Sequence, residues 1–586
     1  MAGQQRSAVF FVILHPLSKT SRRHTQMKRF LTFVLFAVMT TTLAKAMPAR
    51  PGRWMTLSLD GRMVSAQMVG DEHLHYWQTN DGLQLMEQDG CFVRADMAQM
   101  RSRAQERRQK AARSRQKRVR RTANEDFSNY TGKKKGIIIL VEFENCAFLP
   151  ENDSLLYTRI CNEENFSEGR FHGSVRDYFL AQSYGLFDLT FDVVGPVPLS
   201  KTYQYYGRND SKGEDMRPGE MVVEACNAVD DYVDFSRYDW DGDGYVDQVM
   251  CIYAGKGENG NGSSSTIWPH EWQLDESDYG ELLYLDDVAI NTYAASNELS
   301  GSSIDGLGTI CHEFSHCLGL PDMYDIDYKG NYGMGSWSVL DNGSYNGNGF
   351  RPAGYTSFER YSCGWLQPNV LDASTTVDAM RPLNDAPQAY MIVNDAWPDE
   401  YYLMENRQPR GWDASLPGSG MLILHVDYDA DIWEYNFVNT NNMNPADMEP
   451  ANDHQRCTVF KANQGISTYY SSESGVAYPY LKRDSLTSTS TPAATVYNKN
   501  VDGTNLMGKS VLDITRNSDG TMAFRFRNDK EDVPTAILDM PHDGGNGGAC
   551  FTPAGRYVGK TSERMHPGLY IQRDDKGQRG RTVIIK

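Results

Sequence analysis

Cysteine is scarce for the chain's length, with ten in 586 residues and no Cys-x-x-Cys pair. This excludes a disulfide-stapled scaffold and the zinc and redox sites built on that pair. The cysteines are expected to be mostly buried small apolar residues. Cys311 and Cys317 lie six positions apart on one expected helix. That is about 9 Å of rise, too far for a bridge. The apolar run from Phe30 to Met39 is too short for a stable membrane span. Beyond residue 125 the chain also lacks positive charge. Residues 1–125 hold 22 Lys/Arg against 9 Asp/Glu, whereas 126–586 hold 36 against 67, a net of −31. An acidic body of this kind does not bind nucleic acid non-specifically, and it suits calcium and an extracellular setting. Mean hydropathy of −0.55, with 40% hydrophobic and 11% aromatic residues, describes a globular chain with room for two or three domains.

The most informative stretch is HEFSHCLGLPD, residues 312–322. On a helix His312 and His316 project from one face, so two imidazole nitrogens can reach one zinc ion at about 2.0–2.1 Å. Glu313 stands beside the first ligand, where its carboxylate can take the proton of an attacking water. Gly319 can adopt positive φ and Pro321 cannot continue a helix, so the chain turns back and brings Asp322 round as a third, oxygen ligand. The spacing is that of a zinc hydrolase.

Composition and punctuation divide the chain. Residues 1–26 precede, without evident purpose, an export-like signal at 27–46, which has a basic start, an apolar run and Ala44-Lys45-Ala46 as a cleavage site. Met27 is therefore the expected start. Residues 47–125 read as a pro-segment of short alternating strands. It ends in the tract 101–121, where 11 of 21 residues are basic and interleaved aromatics are absent. Such a tract is an exposed target for a trypsin-like activating protease. Residues 126–367 alternate strands and helices. The expected strands are GIIILVEF (136–143), LFDLTFDVV (186–194), VDQVMCIYAG (246–255) and an edge strand in LDDVAINTYAAS (285–296). The expected helices start at Ser174 and Pro218, with Ser303 or Asp305 capping the metal helix. The fold class is α/β, with that helix packed under a twisted sheet. Residues 368–535 read as mainly β, and 536–586 as a Gly-rich linker with a short β-like tail.

Asp239, Asp241, Asp243 and Asp247 fall at positions 1, 3, 5 and 9 of an EF-hand-like loop, but position 12 is Met250, so calcium would need a ligand from elsewhere. The alternative is an Asp/Gly-rich turn. Tyr345 and Tyr324 are candidates to stabilise a tetrahedral oxyanion. His270 suits a structural hydrogen bond better than a cleft role. Glu359 is the rival third zinc ligand. His425 and Asp427 share a strand face, which fits a second metal or, better, a buried hydrogen bond.

HEFSHCLGLPDMYD, IWPHEW, YDWDGDGYVD, GSWSVLDNGSYN and ENRQPRGWDASLPGSGMLILHVD, together with GDEHLHYW (70–77), resemble secreted metalloproteases of the immune inhibitor A type, which are metzincin-like. The resemblance implies a zincin-like catalytic domain and a zinc endopeptidase made as a secreted zymogen. His312, His316 and Asp322 would be the ligands and Glu313 the base. One departure is Leu340, where the family usually has methionine in the turn beneath the zinc; the swap nearly conserves volume. The tail segments GRYVGK, PGLYIQ and TVIIK resemble sorting segments of Bacteroidetes-like proteins exported by type IX secretion. Protein or peptide substrates are implied. Two rivals remain, an exopeptidase using Glu359 and a binding or adhesion protein with a vestigial zinc site. Cys91 could act as a fourth, latency-imposing zinc ligand, although a strand cysteine more often packs.

Overall fold

The computed structural model describes residues 45–88, 90–111, 130–441, 452–466 and 473–530, and four tail strands at 549–551, 557–560, 568–573 and 580–585. Residues 1–44, which carry most of the expected signal, and the later half of the basic tract lie outside the described residues. The chain forms two compact units, Met1–Glu531 and Asp532–Lys586. In the second, four antiparallel strands make the β-like tail.

Strand β1, Lys45–Ala46, opens the first unit. A five-stranded antiparallel meander follows: β2 Trp54–Leu59, β3 Arg62–Gly70, β4 His75–Thr79, β5 Gln84–Gln88 and β6 Cys91–Arg94. Helix α1, Met97–Ala111, carries the first half of the basic tract. Cys91 is exposed on β6.

The central sheet is built from apolar runs whose alternate residues face opposite layers. Its strands are β7 Gly132–Glu142, β8 Phe187–Pro198, β9 Val249–Lys256, β10 His270–Gln273 and β11 Thr292–Ser300, in the order β1-β10-β11-β9-β7-β8. Strands β11, β9, β7 and β8 run parallel, and β10 is antiparallel to β11. The expected edge strand is thus corrected. Residues 292–300 lie inside the sheet, and outside them come the four-residue HEWQ of β10, too short and polar to stand out in sequence, and then β1 at the edge. Helix α2, Val175–Gln182, starts with a full capping box at Ser174, and helix α3, Pro218–Val229, has Pro218 in its first turn, both as expected.

Ile137, Ile139, Val249 and Cys251 pack with Met221, Val222 and Ala225 of α3 on one face. Ile138, Leu140, Met250 and Ile252 pack on the other with Ile310 and Phe314 of α4, Gly308–Cys317. No side chain caps α4: Ser303 lies in a two-residue strand and Asp305 pairs with Arg50. The helix instead begins at a close approach, where a Cβ on Gly308 would stand 2.0 Å from the Ser344 carbonyl. Helix α5, Ser357–Ser362, follows, then the sheet containing β12 Tyr390–Asn394, β13 Trp397–Arg407 and β14 Gly420–Asp427, and helix α6, Ala430–Glu434. The β-rich part has a cluster of its own around Ile392, Tyr402, Ile423 and Phe524, while Leu403, Leu424 and Trp433 share the cluster of α4.

Nine cysteines are described as free thiols and seven of them are buried, which matches their reading as small apolar residues. Leu340 is fully buried beneath α4. Leu340→Ala should therefore cost on the order of 2–5 kcal/mol in urea unfolding, and Leu340→Met less than about 1.5 kcal/mol. Equal costs would show that Leu340 is not packed as described.

Candidate metal centre

Every residue of α4 is buried, so His312 and His316 are held in a dry interior rather than on a surface face. Their Nδ1 atoms donate to the carbonyls of Val339 and Leu320, at 2.8 Å each. That pairing assigns the tautomer and aims both Nε2 lone pairs at one point. Gly319, at φ +79°, ends the helix as its position suggested and carries Leu320 back under His316. The Asp322 Oδ1 then lies 3.3 Å from His312 Nε2 and 3.5 Å from His316 Nε2, and the two Nε2 atoms are 3.2 Å apart. A tetrahedral ion with bonds of about 2.05 Å separates its ligand atoms by about 3.3 Å. The donor set and its spacing fit zinc.

Asp322 is oriented by a residue that sequence reasoning missed. Asn436, just past α6, accepts from the Asp322 amide and donates to its Oδ2, both at 2.7 Å, leaving Oδ1 buried without a hydrogen bond. Nothing near position 436 in the sequence signals this role. Burial raises the Asp322 pKa, but the fields of His316 and His312 outweigh it and hold the carboxyl well below the usual range. Glu313 is fully buried, and neither of its oxygens has a hydrogen-bond partner. Burial raises its pKa, with Asp322, Glu72 and Glu271 adding to the rise.

Residues 45–50 lie across this centre. Lys45 pairs with Glu271 and Ala46 with His270 along the β10 edge. The Trp268 indole then donates to the Met47 carbonyl at 2.9 Å. Tyr345 donates its hydroxyl to the Pro48 carbonyl at 2.6 Å, so the phenol grips a main chain and its pKa is raised by burial. Tyr324 is buried beside Asp322 and Tyr328, and burial raises its pKa too.

Other candidates resolve differently. Glu359 completes the capping box of α5, its carboxylate bonded to Ser338 and to the Thr356 amide. His270 is a hydrogen-bonded structural residue: Nδ1 donates to the Trp268 carbonyl at 2.6 Å, and Nε2 lies 3.2 Å from the Tyr293 hydroxyl. Burial brings its pKa down to about 4. His425 bonds Glu400 at 2.8 Å, and Asp427 bonds Arg456 and His454, which is the buried hydrogen-bond arrangement. Asp239, Asp241 and Asp243 bring carboxylate oxygens within 4.8 Å of one another. Asp247 stands outside that group, with its Oδ2 accepting from the Trp240 amide at 2.7 Å.

The part of the chain that holds this centre is similar to known metalloproteases. Residues 134–371 match the family model of the immune inhibitor A peptidase M6 catalytic domain, a span that holds His312, Glu313, His316 and Asp322. Over 268 residues the chain is 28% identical to the pre-pro-metalloprotease PrtV of Vibrio cholerae serotype O1, covering 38% of this chain and 28% of that protein. Over 259 residues it is 26% identical to immune inhibitor A of Bacillus thuringiensis subsp. alesti, covering 37% of each. The chain thus spans about a third of the length of these relatives, and the likeness read from five motifs holds over the catalytic segment.

An ion at this centre depends on Asn436 to present Asp322. Asn436→Ala should weaken zinc binding ten- to a hundredfold in competition with a chromophoric chelator. Unchanged affinity would remove Asp322 from the ligand set.

Proposed function

We propose that the chain is a secreted zinc-dependent endopeptidase made as a zymogen. The observation that carries this reading is the convergence of His312, His316 and Asp322 beside a buried, unpartnered Glu313, with residues 45–50 laid in front of them. The three converging residues would hold zinc in a zincin-like arrangement. When bound, zinc supplies Lewis acidity toward a peptide carbonyl and toward the attacking water. Glu313 takes the proton of that water and later passes it to the leaving amine. Its dry surroundings raise its proton affinity, which suits a base that must hold a proton briefly. Glu359, the ligand an exopeptidase reading needs, is engaged in its capping box. A vestigial zinc site in a binding protein would have no use for Glu313.

Latency follows from the same contacts. Trp268 is part of the pro-segment's own apolar cluster with Ala49, Leu57, Met68 and Trp77. Arg50 forms an ion pair with Asp305 at 2.9 Å and lies over the Tyr345 ring. Cleavage within 101–121 by an activating protease would separate residues 47–125 covalently from a catalytic segment at 126–367, which is followed by the β-rich segment at 368–535. Residues 27–46 would direct export, and the tail 536–586 would be read by type IX-like machinery. Among the described residues no helix is long and apolar enough to cross a membrane. Asp239, Asp241 and Asp243 would take calcium.

The full chain, cut with trypsin in the basic tract and assayed on casein, should show cleavage that a zinc chelator abolishes. Glu313→Ala should lose turnover by at least about a hundredfold and keep its zinc. Loss of metal in that variant would mean its role is structural, and release of terminal residues alone would favour the exopeptidase. Calcium should raise the melting temperature of the wild type and leave an Asp239→Asn/Asp241→Asn variant unmoved; an equal response would discard that site.

A further inference from the structure

Beside the side-chain contacts of Ala49 and Arg50, the main chain of residues 47–50 is itself held. The Trp268 indole N–H donates to the Met47 carbonyl and the Tyr345 hydroxyl to the Pro48 carbonyl, while the Arg50 amide donates to the Asn259 carbonyl at 3.0 Å. A second layer sets the direction of these donors. The Asn259 side-chain amide donates to the Tyr345 oxygen at 3.0 Å, which leaves the phenolic proton for the bound carbonyl. The two bonds form a chain in which each donor polarises the next. Trp268 is fixed in turn by His270 on its carbonyl and by its own amide on Asp215 Oδ2, at 2.8 Å. Trp268, Tyr345 and Asn259 are all buried.

We infer that Trp268 and the Asn259–Tyr345 pair form a main-chain clamp that takes two successive carbonyls of an extended polypeptide substrate once residues 45–50 have left. This deepens the endopeptidase reading and rests on it. Residue 47 follows β1, which lies on the β10 edge and packs against α4, so in a bound substrate the bond to be cut is the one before the residue in the Met47 position. Trp268 thus holds the first residue past that bond and Tyr345 the second. Asn259 is a positioning residue that acts through the phenol. Such a clamp selects extended backbone and is indifferent to the side chains of both residues. It also accepts proline at the second position, where Pro48 sits, because nothing there requires an N–H.

The test uses the trypsin-cut full chain and a quenched peptide cleaved at one bond. A matched peptide carries an ester in place of the amide after the second residue past that bond, which weakens that carbonyl as an acceptor. Tyr345→Phe and Asn259→Ala should each lower kcat/KM about tenfold on the amide peptide, the loss of one hydrogen bond. They should lower it much less on the ester peptide, whereas Asn259→Gln should recover part of the loss. Equal losses on both peptides would overturn the clamp. A second measurement needs no activity. In the uncut chain, both variants should speed hydrogen exchange across residues 47–52, and unchanged exchange would overturn the clamp even in an inactive protein. Absence of any chelator-sensitive cleavage by the wild type would instead defeat the endopeptidase reading, and the exchange result would still decide whether the clamp exists.

Discussion

Three acceptor atoms, two imidazole nitrogens and one carboxylate oxygen, face one another at 3.2–3.5 Å inside a core that excludes water. With both Nδ1 protons committed to backbone carbonyls, this grouping is stabilised only by a cation or by protons. Most of the surrounding architecture serves to hold it. Val339 and Leu320 lend carbonyls from opposite sides, Gly319 turns the chain under the helix, and Gly308 lets the helix start against the loop at Ser344. Asn436 arrives from more than a hundred residues downstream to aim Asp322.

The same centre explains why the catalytic and β-rich segments share a core. A carboxylate fixed by Asn436 requires α6 to be seated against the loop after α4, and Trp433 and Phe437 bury the apolar side of that contact. The N-terminal meander is joined to the molecule in a comparable way. Its sheet closes its apolar cluster with Trp268, and Lys45–Ala46 just before it extend the central sheet alongside β10. An edge strand offers unpaired backbone groups to any extended chain, and here the chain's own N-terminal part takes them. Latency and substrate binding, on this reading, use one surface.

Particular residues mark where sequence reasoning succeeded and where it stopped. The capping box at Ser174, Pro218 in a first turn, the apolar runs of β7 and β9, and the turn at Gly319 were all legible because local chemistry dictates them. The edge strand was misplaced because β10 is four residues long and half polar, and no periodicity distinguishes it. Ser303 and Asp305 were natural caps for α4, but close packing at Gly308 sets its start and Asp305 is drawn to Arg50. Tyr345 was a candidate to stabilise a tetrahedral oxyanion, whereas its hydroxyl donates to the Pro48 carbonyl. Which oxygen it meets depends on a chain segment almost three hundred residues away. Asp247 matched a calcium-loop spacing, yet it bonds the Trp240 amide instead.

The eleven residues 312–322 by themselves determined the candidate metal-binding groups, the placement of Glu313 beside them and the turn that returns Asp322, because a helix and a glycine stop leave one arrangement of side chains four and ten positions apart. Tertiary structure alone decided which carbonyls orient the imidazoles, that Asn436 presents Asp322, that Glu359 stays out, and that residues 45–50 lie beside β10, bonded to Trp268, Tyr345 and Asn259. Those contacts join segments far apart in the chain, and such pairings are selected by burial and hydrogen-bond satisfaction in three dimensions, for which no local pattern of residues exists.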